Sequence, residues 1–117
     1  MLTVHHALAF LVLGVCLLAA ALALVAYRTR GSAGALVSHV LALAQTLIVA
    51  QVAVGLLLLA DHRRADKGAH YMYGSLAVLA VAWPWLYAPA DPRRRLAWFA
   101  GATLLAAVLA LRAYMTA

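Results

Sequence analysis

Four long apolar runs, at residues 4–27, 35–60, 70–87 and 96–113, set the terms for everything else in this chain. An α-helix rises about 1.5 Å per residue and the hydrocarbon of a bilayer is about 30 Å thick, so roughly 20 apolar residues cross it. The first three runs meet that need, and the fourth does so if Arg112 snorkels to the headgroups. Composition agrees: 68% hydrophobic against 10% charged residues lies far outside the range of a water-soluble domain. The segments are too long, too rich in Leu and Ala, and too free of alternation for a membrane β-barrel. The expectation is an all-α integral membrane protein, a single up-down four-helix bundle with four transmembrane helices.

The breaks between the runs are short and strongly punctuated. "YRTRGSAGA" carries Gly31, Ser32 and Gly34 after two arginines and predicts a tight helix-helix turn. "ADHRRADKG" puts Asp61, Arg63, Arg64, Asp66 and Lys67 ahead of Gly68. In "APADPRRR", Pro89 and Pro92 stop one helix, Asp91 is placed to cap the next, and Pro92 falls in its first turn. Connections of this length predict antiparallel neighbours. The first run has no basic residue before it and is longer than a signal-peptide core, so it is expected to stay in the mature chain.

Nine basic residues against three acidic ones would suggest nucleic acid in a soluble protein. Here they cluster at helix ends, where anionic lipid headgroups are the nearer partners, and no nucleic-acid role is read. The first and third loops hold Arg28, Arg30, Arg93, Arg94 and Arg95; the second loop and the C-terminal end hold Arg63, Arg64, Lys67 and Arg112. That balance predicts both termini outside, in what is read as a bacterial plasma membrane. Tyr27, Trp83, Trp85, Tyr87 and Trp98 gather at one boundary and Tyr71, Tyr73 and Tyr114 at the other, as interface anchors do.

The chain contains no glutamate, and its aspartates, Asp61, Asp66 and Asp91, all lie in loops. A membrane-embedded carboxylate is therefore missing, which argues against proton-coupled transport of the kind small four-helix multidrug exporters perform. Cys16 is the sole cysteine, so neither an internal disulfide nor a cysteine metal set arises. The apolar runs carry histidine and glutamine instead: His5 and His6, His39, Gln45 and Gln51, and His70.

The first and third helices run in the same direction, which puts His5 or His6 level with His70 and leaves His39 at the other side. Two level imidazoles on two helices of one bundle are the arrangement that binds a b-type heme iron from both faces. His5 and His6 point about 100° apart on a helix, so only one faces the bundle comfortably. His6 is preferred because Gly14, eight residues on, shares its face; Gly74 stands likewise four after His70, and Gly55 four after Gln51. Arg63, Arg64 and Lys67 lie on the side of His70, where they could meet heme propionates. His39 and His62 are read as structural, and Cys16 and Met72 as packing residues.

The stretches "HHALAFLVLG", "QVAVG" and "HYMYGSLAVLA" resemble the helices of heme A synthase and related heme-binding membrane proteins, over about residues 5 to 80. The resemblance implies a heme between the first and third helices, with Gln51 and Gly55 matching the glutamine and glycine on the family's intervening helix. The chain looks like one shifted half-unit, since the family has eight helices in two bundles with its histidines on the second and fourth helix of each. Leu2, Thr3 and Val4 stand where the family's N-terminal half carries a glutamate, and a cysteine pair found in many bacterial members is missing. These departures point away from oxidation of a heme methyl group and toward heme binding alone.

The leading expectation is thus a small membrane protein binding one heme b through His6 and His70, for electron transfer or heme handling, with no redox partner identified. A half-unit could restore the larger architecture as a homodimer. The alternative is a non-catalytic accessory subunit in a larger membrane complex, and a weaker third is a permeation pathway formed by a homodimer.

Overall fold

The computed structural model describes residues 2–61 and 68–116, and all of their regular structure is α-helical. Four helices follow one another: α1 (Leu2–Thr29), α2 (Gly34–Ala60), α3 (Ala69–Tyr87) and α4 (Pro92–Met115). They form a bundle 47 Å long and 24 by 19 Å across. Three of them, α1, α2 and α4, are long and apolar enough to cross a membrane. The expectation of four such helices holds only in part. α3 has 19 residues, and His70, Tyr71 and Tyr73 at one end with Trp83, Pro84, Trp85 and Tyr87 at the other leave a short apolar middle.

Most large apolar side chains point outward, and the completely buried positions are held by small ones. Phe10, Leu36, Leu79 and Leu86 are each at least 60% exposed, whereas Cys16, Ala19, Ala23, Ala44 and Ala106 are completely buried. A water-soluble bundle would reverse this, because burying Leu and Phe is what holds it together. In lipid the apolar exterior costs nothing, and small residues stabilise the bundle by letting helix backbones approach. The α1 residues of the core cluster (Val12, Cys16, Ala19, Ala23, Ala26) recur every three or four residues and so form one stripe. That stripe joins a core shared with Leu96, Phe99, Ala106 and Ala107 of α4 and Val37, Leu41, Ala44 and Ile48 of α2.

The turns match their sequence signals. The N–H groups of Arg30 and Gly31 both donate to the Ala26 carbonyl at 2.8 Å, which closes α1. Gly31 and Gly34 then each take φ +70°, left-handed backbone that glycine adopts without a Cβ penalty. At α4 the Asp91 carboxylate accepts from the Arg94 N–H at 3.0 Å, with Pro92 in the first turn. Asp91→Ala is expected to lower unfolding free energy in mild detergent by about 1 kcal/mol, and Asp91→Asn by much less, as measured by denaturant titration.

Sequence-adjacent helices do not all pack alike. α1 lies firmly against α2 and α4, and α3 against α4, while α2 and α3 touch only lightly and α1 and α3 face each other across the diagonal. The seam between α2 and α3 is consequently the loosest between helices adjacent in sequence. The candidate site lies there.

Candidate functional site

At the end of the bundle where α1 and α3 begin, all four helices line a cavity of about 540 Å³. Its walls are mostly apolar, from Val12, Ile48, Val52, Ala77 and Ala110. Two histidines stand in it. The rings of His5 and His70 lie 6.0 Å apart between centres, with their planes crossed at 75°. Each is half-buried.

The structure turns His5, rather than His6, toward His70. His6 is exposed at the cavity mouth. Gly14 follows His6 onto the outer face: it is exposed, it does not line the cavity, and a Cβ there would meet nothing within 4 Å. Gly14 does share the face of His6, but that face is rotated about 100° from the one that carries His5 toward His70.

α2 holds His5 by two contacts. Gln51 donates its Nε2–H to the His5 carbonyl at 2.8 Å, tying α2 to the first turns of α1. One turn further on, Gly55 lies so close that a Cβ would stand 3.3 Å from His5 Cε1. The ring rests on bare helix backbone, where a side chain would press on it. Two atoms of this contact, His5 Nδ1 and Gln51 Oε1, are buried without a hydrogen-bond partner among the described residues. Buried polar atoms left unpaired are costly, so they call for a role.

α4 holds His70. Its Nδ1 lies 2.6 Å from the Ala113 carbonyl oxygen. A carbonyl only accepts, so Nδ1 carries the proton, and in the neutral ring this leaves the lone pair on Nε2. The carbonyl is available because Ala113 falls in the last turn of α4, beyond the reach of regular intrahelical donors; its other donors are the Thr116 N–H and hydroxyl. Tyr71 packs its ring edge-on to His70 at 5.5 Å. Gly74 lines the cavity with open space where its Cβ would be.

The remaining expected residues divide cleanly. Gln51, Gly55, His70 and Gly74 come together with His5 at this cavity. Arg63, Arg64 and Lys67, with His62, lie outside the described residues. The described cation near this end is Arg112, whose Nη2 donates to the Tyr73 hydroxyl at 3.5 Å. His39 is exposed near the other end and bonds to the Ala35 carbonyl of its own helix at 2.7 Å, and Cys16 is buried in the core. The part played by α4, through Ala110, the Ala113 carbonyl and Tyr114, had no sequence signal, because a backbone carbonyl has no residue type.

Among the described residues, no group of three or more His, Cys, Asp and Glu side chains comes together to hold a metal ion. The pair His5 and His70 can supply two nitrogen donors and nothing more. No family model, curated protein or solved structure matches this chain, so the resemblance to heme A synthase rests on the quoted residues alone.

Proposed function

We propose that this chain is an integral membrane b-type heme protein, crossing the bilayer four times with both termini outside, and holding one heme between α1 and α3. The observation that carries the reading is the His5–His70 pair across an apolar cavity. The ring centres stand 6.0 Å apart, near enough that both imidazoles would serve as ligands to one metal at bonds of about 2 Å each. A two-donor set is poor for a free metal ion but suits an iron whose other four positions are filled by a macrocycle. The cavity volume of about 540 Å³ falls in the range of sites for flat organic cofactors.

Each residue of the site then has a task. The Ala113 carbonyl engages the Nδ1–H of His70, which leaves Nε2 as the nitrogen that would ligate. Gly55 lets His5 lie against α2, and Gln51 fixes the backbone from which that ring projects. Val12, Ile48, Val52 and Ala77 exclude water and lower the local dielectric. Arg112, at the same end, is the cation within the described residues best placed to offset carboxylate charge. A bound heme would supply a one-electron iron couple, and the protein would supply its ligands, its dry surroundings and its orientation.

Absorption spectroscopy tests this directly. Protein purified in mild detergent after expression with heme supply is expected to show a Soret band and sharp reduced α and β bands. A colourless protein that instead co-purifies at fixed stoichiometry with other chains would favour the accessory-subunit reading.

A further inference from the structure

A second cleft, of about 280 Å³, opens at the opposite end of the bundle between α2 and the start of α4. Its floor is apolar, made by Leu41, Leu96 and Phe99, and its wall on α2 is built from the small residues Ser38 and Ala42. Trp85 crosses from α3 and donates its indole N–H to Gln45 Oε1 at 2.9 Å, which fixes the ring. Trp85 in turn stands edge-on to Phe99 at 5.3 Å. The Arg95 guanidinium lies over both rings, 5.9 Å from the centre of Trp85 and 5.2 Å from that of Phe99. A half-buried cation is thereby held at the mouth of an apolar groove.

The charge around this cleft is one-sided. Among the described residues, Arg28, Arg30, Arg93, Arg94 and Arg95 share this end with a single carboxylate, Asp91, which is engaged in capping α4. Tyr27, Trp83, Trp85 and Tyr87 lie in the last turns of α1 and α3 at this end, where aromatic residues anchor a helix in a headgroup layer. A guanidinium presents a planar fork of donors suited to a phosphate. The groove below it takes hydrocarbon. A second copy of this chain would bring an equally positive end against this one if packed in the same orientation, so charge complementarity favours an anionic occupant.

We propose that this cleft binds one anionic phospholipid, its phosphate on Arg95 and an acyl chain in the groove between Ala42 and Phe99. This site is separate from the histidine cavity and does not depend on heme.

Native mass measurement of the full-length protein in mild detergent, with phosphatidylglycerol or phosphatidylcholine of the same chain length, tests it. Phosphatidylglycerol is expected to be retained about fivefold better, because the choline cation of phosphatidylcholine offsets the phosphate charge that one arginine attracts, whereas phosphatidylglycerol keeps its net negative charge. Arg95→Gln should abolish that preference, while Arg28→Gln should leave it intact. Ala42→Trp leaves the charges alone but fills the groove, and should lower retention even if Arg95→Gln fails to fold. Equal retention of the two lipids, equal effects of Arg95→Gln and Arg28→Gln, or full retention in Ala42→Trp would each overturn the proposal. So would glycerol phosphate displacing the lipid at equal concentration, which would indicate a free-phosphate site. A doubled mass that Ala42→Trp abolishes would assign the groove to a second copy of the chain, and likewise overturn it.

Discussion

His70→Ala is expected to remove the low-spin heme spectrum and lower heme affinity by more than about 100-fold, because changes merely to the groups behind a metal ligand already cost 10–100-fold. His5→Ala should do the same. His6→Ala, one residue away but at the cavity mouth, should retain most of the heme, and His39→Ala, near the other end and bonded to its own helix, should retain all of it. The contrast between neighbours His5 and His6 is the sharper test, since both variants alter the same turn of α1. His70→Ala also deletes the bond to the Ala113 carbonyl, a loss of about 1 kcal/mol that could perturb the fold. Added imidazole separates the two causes: it should restore a six-coordinate spectrum to His70→Ala if the variant is folded and lacks only the ligand. A His70→Ala protein with unchanged heme content and spectrum would sink the ligand assignment, and equal losses from His5→Ala and His6→Ala would sink the choice between them.

Gly74→Leu should reduce heme loading by more than about tenfold while leaving the unloaded protein as stable as before or more so. The expectation rests on the open space at this glycine, where a Cβ meets nothing within 4 Å. Leucine is also the better helix former by nearly 1 kcal/mol, so the fold has no reason to suffer. The side chain would instead project into the volume the cofactor needs. Gly55 should behave differently. An alanine Cβ there already stands 3.3 Å from His5 Cε1, and Gly55→Leu should overpack that contact, costing about 1–3 kcal/mol and swinging the ring away. Heme titration together with thermal unfolding of the unloaded protein distinguishes the two glycines. A Gly74→Leu variant that loads heme normally would show that the cofactor, if bound, lies elsewhere.

The four helices were legible in the sequence because long apolar runs leave a chain few alternatives in a bilayer, where every backbone N–H and C=O must be satisfied within its own segment. Turn chemistry was legible for the same local reason: Gly31, Gly34, Asp91 and Pro92 act on the backbone within a few residues of themselves. The level meeting of an α1 histidine with His70 followed from helix direction alone, and four-residue spacing put Gly55 on the face of Gln51 and Gly74 on that of His70. Less legible was the capacity of α3, whose aromatic ends shorten its apolar middle.

What only the tertiary structure decided is rotation and closure. Helical periodicity says that His5 and His6 point about 100° apart, but which of them faces inward depends on how α1 seats against α2 and α4, and on the Gln51 and Gly55 contacts that hold it there. Equally, no residue pattern marks the Ala113 carbonyl as the partner of His70, or makes α2 and α3, neighbours in sequence, part company to leave the cavity between them. Spacing along a helix is a property of one segment. The phase of that helix about its own axis, and the gap between two of them, emerge only when small residues across several helices compete for the same close contacts.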